Sequence, residues 1–436
     1  MFSVLFLILN GLYVFMFKQV LLDFANVPRP ILHLIGAVFF IQLIDASLFI
    51  LFNFHLEKLG FIDSQMAELM AYKYAAIVLF AFPLGLYIKG KKLLYFFRVA
   101  SISTPSLMLL LLTSLHYGYY DIAELLMFVF GVSSIFIKVT ALPFIILNTP
   151  KPKHSEALTL YFQIFSATAF FAGISNYILN SISASFFTEE TVLWIFACLG
   201  YCSVYFTFKI NLEENISNPI PFKAIFSSYD WRKIGYATFP TLLIAIGAGL
   251  TIPFINLFFL NVHGIDSKSF SLFGAMSFVL VVLVMFFVPK IRRKYGYNVV
   301  INGFQVLAVV ALFVMASTEW YQQYKWAAMI AIVAFLVRQP LMQVASPAIS
   351  EMTLYYVGKK NQEMIAALNA SIWSGSWFFS SLIFAFLRKQ QVAYVNIFML
   401  TVILYFVATI VYYRLIKAFK QNEAQAEPEI LPHSSF

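Results

Sequence analysis

The chain contains 436 residues, of which 61% are hydrophobic and 11% are charged, whereas a soluble domain has about 45–50% apolar and about 25% charged residues. Its mean hydropathy is +0.83, and apolar runs of about 20 residues, long enough to cross a bilayer as helices, recur along most of the sequence. This composition excludes a soluble enzyme, a disordered regulator and a secreted disulfide scaffold. It indicates a polytopic membrane protein.

Twelve apolar stretches of helical length follow residue 30. Each is long enough to cross a hydrocarbon core of about 30 Å. Prolines inside these stretches do not contradict the assignment, because neighbouring helices satisfy the backbone groups that a proline frees. The sequence therefore predicts an all-α membrane protein with twelve transmembrane helices. They are expected at residues 31–54, 67–88, 94–115, 122–148, 157–180, 191–208, 234–260, 268–289, 298–316, 325–348, 364–386 and 393–416.

The first 22 residues are also apolar, and a polar stretch around residues 26–30 follows them. Three interpretations are open: a short thirteenth span, an interfacial helix, or an upstream extension of a chain whose natural start is Met16. A cleaved signal peptide is not favoured, because no small-x-small site follows the apolar run. We expect residues 1–30 to form an extra hydrophobic, membrane-associated segment.

Lysines and arginines are distributed unevenly between the predicted loops. The loops on one side, together with both ends of the twelve-helix unit, carry about four times as many as the loops on the other side, which places them in the cytoplasm. The net charge of +9 is then explained as an insertion signal, and we expect no nucleic-acid partner. The short loops are typical of a bacterial inner-membrane protein.

An internal repeat divides the chain into two halves. The first predicted span ends at Gly60 and is followed by Asp63, and the seventh ends at Gly264 and is followed by Asp266. In both places, glycine is expected to end one helix and aspartate to cap the next. The repeat offset of about 203 residues predicts two six-helix bundles. The predicted units are 31–208 and 234–418, with a cytoplasmic linker at 209–233 and a disordered cytoplasmic tail at 419–436.

The loop after the eighth span reads Pro289-x-x-x-Arg293-Lys294-x-Gly296. It resembles the Gly-x-x-x-Asp-Arg-x-Gly loop motif of the major facilitator superfamily, and about residues 31–418 resemble that family. The resemblance implies two six-helix halves and secondary transport by alternating access. It also implies a substrate site near the midplane, between the halves.

Two further stretches carry partial matches to the same family. In the loop after the second span Gly85 is present, but Lys89 stands where the motif has an acidic residue. The eleventh span contains Asn369-x-x-x-Trp373-x-Gly375, which resembles a pattern of several branches. The resemblance implies a conformational role for both loops, and it leaves the subfamily open.

Ionisable residues near the centre of a span are costly to bury and are therefore functional candidates. Asp45 lies in the first span, on one helical face with Gln42 and Asn53. A carboxyl group in an apolar, partly wet cavity can load and release a proton, so Asp45 is the predicted proton-coupling residue and Gln42 a predicted substrate ligand. The alternative is that Asp45 is a static partner of Lys138 or Lys73.

Lys138 and Arg338 lie in the fourth and tenth spans, which are equivalent helices of the repeat. Two cations that face one cavity would favour an anionic or zwitterionic substrate. Arg338 begins a polar stripe that includes Gln339 and Gln343, which we predict to bind substrate with it. Alternatively, Arg338 is a structural post for backbone carbonyls freed by two prolines of the same span.

Four other polar or aromatic residues are weaker candidates. Trp373 and Trp377 lie on one face of the eleventh span and are predicted to line the cavity, although core packing is the commoner role of such residues. Gln163 and Asn256 are further predicted substrate ligands. Lys73 is expected to extend its ammonium group outward to the membrane interface.

The sequence contains no P-loop, no metal-binding histidine spacing and no nucleophile elbow, so we expect no enzyme activity, metal or cofactor. It predicts a monomeric secondary transporter of a small, anionic or zwitterionic solute, with protons as the expected coupling ion. The alternative is a flippase or exporter of lipid-like amphipathic molecules, with some of the 50 phenylalanines lining a lateral opening.

Overall fold

The computed structural model describes residues 27–88, 91–150, 153–212, 229–285, 288–358 and 362–426, which form an all-helical bundle. The long helices are named here in chain order. They are α1 (Arg29–Lys58), α2 (Asp63–Tyr87), α3 (Leu94–His116), α4 (Tyr120–Asn148), α5 (His154–Ile182), α6 (Glu189–Phe208), α7 (Trp231–His263), α8 (Ser267–Met285), α9 (299–321), α10 (Lys325–Val357), α11 (Gln362–Lys389) and α12 (Tyr394–Ala426).

Within the described part of the chain, eleven of these helices meet the length and hydropathy needed to cross a membrane. The remaining helix, α11, has 28 residues and packs against α2 and α7. The all-α prediction is therefore confirmed, and the protein is an integral, multi-pass membrane protein. The predicted N-terminal segment up to residue 26 and residues 213–228 of the predicted linker lie outside the described residues.

Helices α1–α6 and α7–α12 form two halves that meet along matching surfaces. The principal contacts between the halves join α2 to α11 and α5 to α8. In the repeat, α2 corresponds to α8 and α5 corresponds to α11. The two contacts are therefore equivalent, and the helix pairing between the halves is symmetric.

The helices α1 and α7 contact each other, and both depart from α-helical geometry near the contact. Residues Leu48–Phe52 form a π-helical turn in α1, and Ile252–Phe254 form a 3₁₀ turn in α7. Asn53 donates from Nδ2 to the Pro253 carbonyl oxygen at 2.8 Å and to Asn256 Oδ1 at 2.9 Å. Such irregular turns inside helices often mark functional sites.

The two asparagines are 203 residues apart, so they occupy equivalent positions of the repeat. Both are 1% exposed and hold the halves together. Asn53, which was expected on one helical face with Asp45, is thus hydrogen-bonded to the second half. Asn256, a predicted substrate ligand, is buried in the same contact in this conformation.

The chain connections at 59–62, 117–119, 183–188, 264–266, 322–324 and 390–393 form what we call the lysine-poor end of the bundle; the opposite end is called the basic end. Asp63 joins the halves here. It accepts hydrogen bonds from Arg388 Nε at 2.8 Å, from Asn261 Nδ2 at 3.1 Å and from the Tyr394 hydroxyl. Because the three donors belong to the second half and Asp63 to the first, this group closes the lysine-poor end.

A second polar group reinforces this closure. Glu189, at the start of α6, pairs with Lys58 Nζ at 2.5 Å and accepts a hydrogen bond from the Ser267 hydroxyl of the other half. Asn176 Nδ2 of α5 donates to Ser271 Oγ of α8 at 2.9 Å. The hydrogen bonds named here between the halves thus lie from the middle of the bundle to the lysine-poor end.

The two repeated turns have diverged in one respect. Gly60 and Gly264 have φ values of 86° and 65°, the left-handed conformation expected where glycine ends a helix. Asp266 caps α8 by accepting the Ser269 backbone N–H at 3.0 Å. The prediction that Asp63 also acts as a cap is wrong, because its carboxylate is directed to the other half.

The last helix is longer than expected. It continues to Ala426, so the assignment of residues 419–426 to a disordered tail is wrong. The physical reason is that this stretch consists largely of alanine, glutamine, glutamate and lysine, which are strong helix formers. Residues 427–436 lie outside the described part of the chain.

Candidate functional site

Three ionisable side chains meet in the middle of the first half and are called the Asp45 group. Lys73 Nζ lies 2.8 Å from Asp45 Oδ1, and Lys138 Nζ lies 2.5 Å from Asp45 Oδ2. The side chains of Asp45 and Lys73 are 7% and 8% exposed, whereas that of Lys138 is 37% exposed. With both lysines charged, the group carries one net positive charge, and Lys138 is its most exposed member.

The position of Lys73 corrects a prediction. It does not extend to the membrane interface but is buried against Asp45, with its ammonium group 5.4 Å from the centroid of the Phe130 ring. The depth of the residues could have indicated this. At 1.5 Å per residue, Lys73 is about 15 Å along α2 and Asp45 about 20 Å along α1 from the same end of the bundle.

A glycine lets α4 approach α2 closely enough for both lysines to reach Asp45. A Cβ atom at Gly131 would lie 2.4 Å from the Lys73 carbonyl oxygen and 2.8 Å from Ala76 Cβ. Real Cβ contacts are not that short, so α2 and α4 would have to separate. The close packing of these helices is therefore part of the site.

Replacing Gly131 with alanine is accordingly expected to destabilise the protein by about 1–3 kcal/mol, the usual cost of overpacking. The measurement is the thermal melting temperature of the purified protein in detergent. Gly235→Ala is the matched control, because a Cβ at Gly235 in α7 meets nothing within 4 Å and alanine favours the helix. Equal melting temperatures for the two variants would contradict the role of Gly131.

The second half contains a different cationic centre. Arg338 of α10 is 1% exposed and lines a narrow cavity together with Gln339 and with residues of α1, α7 and α8. Within the described residues, neither Nε nor Nη2 of Arg338 has a hydrogen-bond partner. The Tyr405 hydroxyl of α12 lies beside the guanidinium group. The other lining residues are Phe49, Ile50, Ile252, Ile255, Phe270, Gly274, Ser277, Phe278 and Phe335.

This geometry bears on the two interpretations of Arg338. A structural post would donate its N–H groups to backbone carbonyls, and Nε and Nη2 do not do so among the described residues. They are the two nitrogens of one guanidinium edge, the edge that binds anions in a bidentate manner. The cavity adjoins Phe49, one turn of α1 beyond Asp45, so both cationic centres border the interface between the halves.

An aromatic pair links the Asp45 group to the second half. The ring of Tyr74, next to Lys73 in the chain, packs edge-on against Trp377 of α11, with the ring centroids 5.3 Å apart. Trp373 lies one turn closer to the basic end and is 39% exposed. Trp377 therefore adjoins the site through a packing contact, and Trp373 is the more accessible of the two.

The remaining predicted ligands are distributed along the same surfaces. Gln42 is half-buried one turn before Asp45, Gln339 lines the Arg338 cavity, and Gln163 and Gln343 are half-buried in α5 and α10. The structure brings Gln339 to the cavity that Arg338 lines. Sequence analysis missed Tyr405. It gave no signal because the chain has 24 tyrosines and this one lies in an apolar run.

The two loops predicted to carry a conformational motif are partly described. Gly85 is half-buried near the end of α2, and Lys89 lies outside the described residues. Arg293 is part of a short helix, Val288–Asn298, that Gly296 interrupts with φ 74°; the side chain of Arg293 is not described. Lys294 is exposed, 5.1 Å from the centroid of the Tyr295 ring.

Among the described residues, no three His, Cys, Asp or Glu side chains are grouped so as to hold a metal ion. Cys198 and Cys202 are free and exposed. The site is thus built from charged, amide and aromatic side chains.

No family model and no curated protein matches this sequence. Solved structures, however, are similar over nearly the whole chain. The POT-family transporter PepTSo has a TM-score of 0.71 at 13% identity, covering 90% of this chain and 99% of that one. A bacterial homologue of the human lysosomal transporter Spinster, in an inward-facing and unoccupied conformation, has a TM-score of 0.65 at 12% identity, covering 90% and 97%.

The nucleoside transporter NupG is a third similar structure, with a TM-score of 0.63 at 12% identity, covering 90% of this chain and 99% of that chain. The chain has the major facilitator fold. The fold that the loop motif predicted is thereby confirmed. At these identities the similarity establishes the fold, and the substrate has to be argued from the site.

Proposed function

We propose that the protein is a secondary active transporter that moves a small anionic or zwitterionic solute by alternating access. The observation that carries this proposal is the Asp45 group, whose three side chains meet in the middle of the first half. With both lysines charged, this group carries one net positive charge. Charges buried in a membrane span are costly and are kept where function requires them.

The sign of the charge supports the substrate class. A negative group on the solute is attracted by Lys138, whose side chain is 37% exposed, and interactions between charges are strong where water is largely excluded. A simple cation would have to displace one of the two lysines from Asp45. The site therefore favours an anion over a cation, and a zwitterion would bind with its anionic group at Lys138.

The contacts between the halves support alternating access. The lysine-poor end is closed by the groups around Asp63 and Glu189, so the solute is expected to enter this conformation from the basic end. If the basic loops are cytoplasmic, as their lysines and arginines predict, the conformation is inward-facing. Transport requires a second state in which the lysine-poor end opens.

Coupling to protons is the further part of the proposal. Asp45 is held by two lysines, so protonating its carboxyl group would remove the counter-charge from both of them. Loss of the two ion pairs would change how α1, α2 and α4 pack together. Asp45 is therefore the residue through which a proton gradient could drive the conformational cycle.

Ligand-induced thermal stabilisation tests the substrate class, because a solute that binds only the folded state raises the melting temperature. Organic anions, amino acids, peptides, sugars, nucleosides and lipids are compared at pH 5.5 and 7.5 on the parent protein and on Lys138→Met. We expect an anion or zwitterion to stabilise the parent protein and to lose its effect in the variant. Stabilisation by lipid-like amphipathic molecules alone, unchanged in Lys138→Met, would favour a flippase instead.

A further inference from the structure

Within the part of the chain that the structure describes, the Arg338 guanidinium group is a buried cation without a counter-ion. It is 1% exposed, none of the described ion pairs includes it, and two of its nitrogens are unbonded within the described residues. Leaving a charge buried and unpaired costs several kcal/mol. Arg338 would therefore be stabilised by an anion that comes from solution.

The size of the cavity limits what that anion can be. Its free volume is about 10 Å³, which is the space that one water-sized particle needs. Sulfate, phosphate and most organic anions are larger than this. A single-atom anion is larger than water but smaller than these oxyanions, and it fits if the side chains that line the cavity move apart.

The walls of the cavity favour the same class of ligand. Aromatic and aliphatic side chains surround it, among them Phe270 and Phe335, and the polar groups are Arg338, Gln339 and Ser277. The Ser277 hydroxyl is already used to donate to the Gly274 carbonyl oxygen. A monovalent, weakly hydrated ion needs few donors, whereas a doubly charged oxyanion needs many.

We propose that this cavity binds one halide ion, chloride under ordinary conditions, between the Nε–Nη2 edge of Arg338 and the apolar walls of α8 and α10. The ion neutralises Arg338 and joins α10 to the residues of α1, α7 and α8 that line the cavity. Stability then depends on chloride. This inference is separate from the proposed substrate site at Lys138.

The test compares melting temperatures at constant ionic strength in sodium salts of chloride, bromide, gluconate and sulfate, with no organic solute present. We expect chloride and bromide to raise the melting temperature of the parent protein by about 2–4 °C over gluconate and sulfate. The rise should saturate with halide concentration, as binding to one site requires. Arg338→Gln should abolish the difference between the salts.

A second variant keeps the test decisive if Arg338→Gln fails to fold. A Cβ at Gly274, which lines the cavity, meets nothing within 4 Å, so Gly274→Leu should fill the cavity without removing the charge. Gly274→Ala is the matched control and should retain the halide effect. A halide effect that persists undiminished in Gly274→Leu, or a parent protein with equal melting temperatures in the four salts, would overturn the proposal.

A third result would assign the cavity differently. If formate or acetate stabilised the protein through Arg338 and halides did not, the halide proposal would be wrong and the cavity would belong to a substrate carboxylate. None of these results depends on Lys138, so failure of the halide site leaves the proposed transport function standing. Conversely, loss of the Lys138-dependent stabilisation by organic anions would not affect the halide site.

Discussion

Replacing Asp45 with asparagine is expected to abolish gradient-driven accumulation of the solute and to lower the stability of the protein. The change leaves Lys73 and Lys138 without their counter-charge, and Lys73 is almost completely buried. Removing one partner of a buried ion pair typically costs about 3–5 kcal/mol. The measurements are the melting temperature of the purified variant and uptake into proteoliposomes under an imposed pH gradient.

A double variant separates the structural contribution of Asp45 from its part in transport. Asp45→Asn combined with Lys73→Met restores the net charge of the group to that of the parent protein. We expect it to recover much of the lost melting temperature but not the accumulation of solute. Full accumulation by Asp45→Asn, or by the double variant, would show that Asp45 does not couple transport to protons.

Replacing Asp63 with alanine is expected to open the lysine-poor end of the protein. Its carboxylate accepts hydrogen bonds from Arg388, Asn261 and Tyr394 of the other half. A single hydrogen bond to a charged group contributes about 1.5–3 kcal/mol. Loss of one such contribution shifts an equilibrium between two conformations about tenfold or more.

The opening can be measured by cysteine accessibility. Ser271 is fully buried where α8 meets α5, so Ser271→Cys, with Cys198 and Cys202 replaced by serine, reports exposure to a membrane-impermeant thiol reagent. Adding Asp63→Ala should increase labelling from the lysine-poor side about tenfold. Asp266→Ala is the matched control, because this repeat-related aspartate caps its own helix. Equal labelling with either alanine substitution would contradict the assignment of Asp63 as a closing contact.

The sequence was sufficient to predict the architecture because a bilayer restricts the chain so strongly. Backbone groups in hydrocarbon must be paired internally, so each long apolar run has to be a helix. The repeat offset read from Asp63 and Asp266 also predicted two six-helix halves. The same offset separates Asn53 from Asn256, although their direct contact was not foreseen.

The details of the site depend on information that helical periodicity does not contain. Pairing of Lys73 with Asp45 depends on the depth and rotation of α2 relative to α1, which periodicity does not give. The close packing of α4 on α2 depends on Gly131, because a Cβ atom there would collide with the α2 backbone. The π-helical turn Leu48–Phe52 has no sequence signal that we can identify. The occlusion of Arg338 results from residues of four helices, and only their packing shows that its cavity is too small for an organic solute.

In the proposed transport cycle, Lys138 binds the anionic group of the solute that the protein carries across the membrane. The most direct test is uptake, by proteoliposomes, of the anion or zwitterion that stabilises the purified protein most, with Lys138→Met as the variant. Lys325→Met, at the exposed start of α10, is the matched control for loss of one positive charge. We expect saturable uptake by the parent protein and by Lys325→Met, and a loss of at least about tenfold in Lys138→Met. Undiminished uptake by Lys138→Met, or no anion uptake by the parent protein, would contradict the proposed transport cycle.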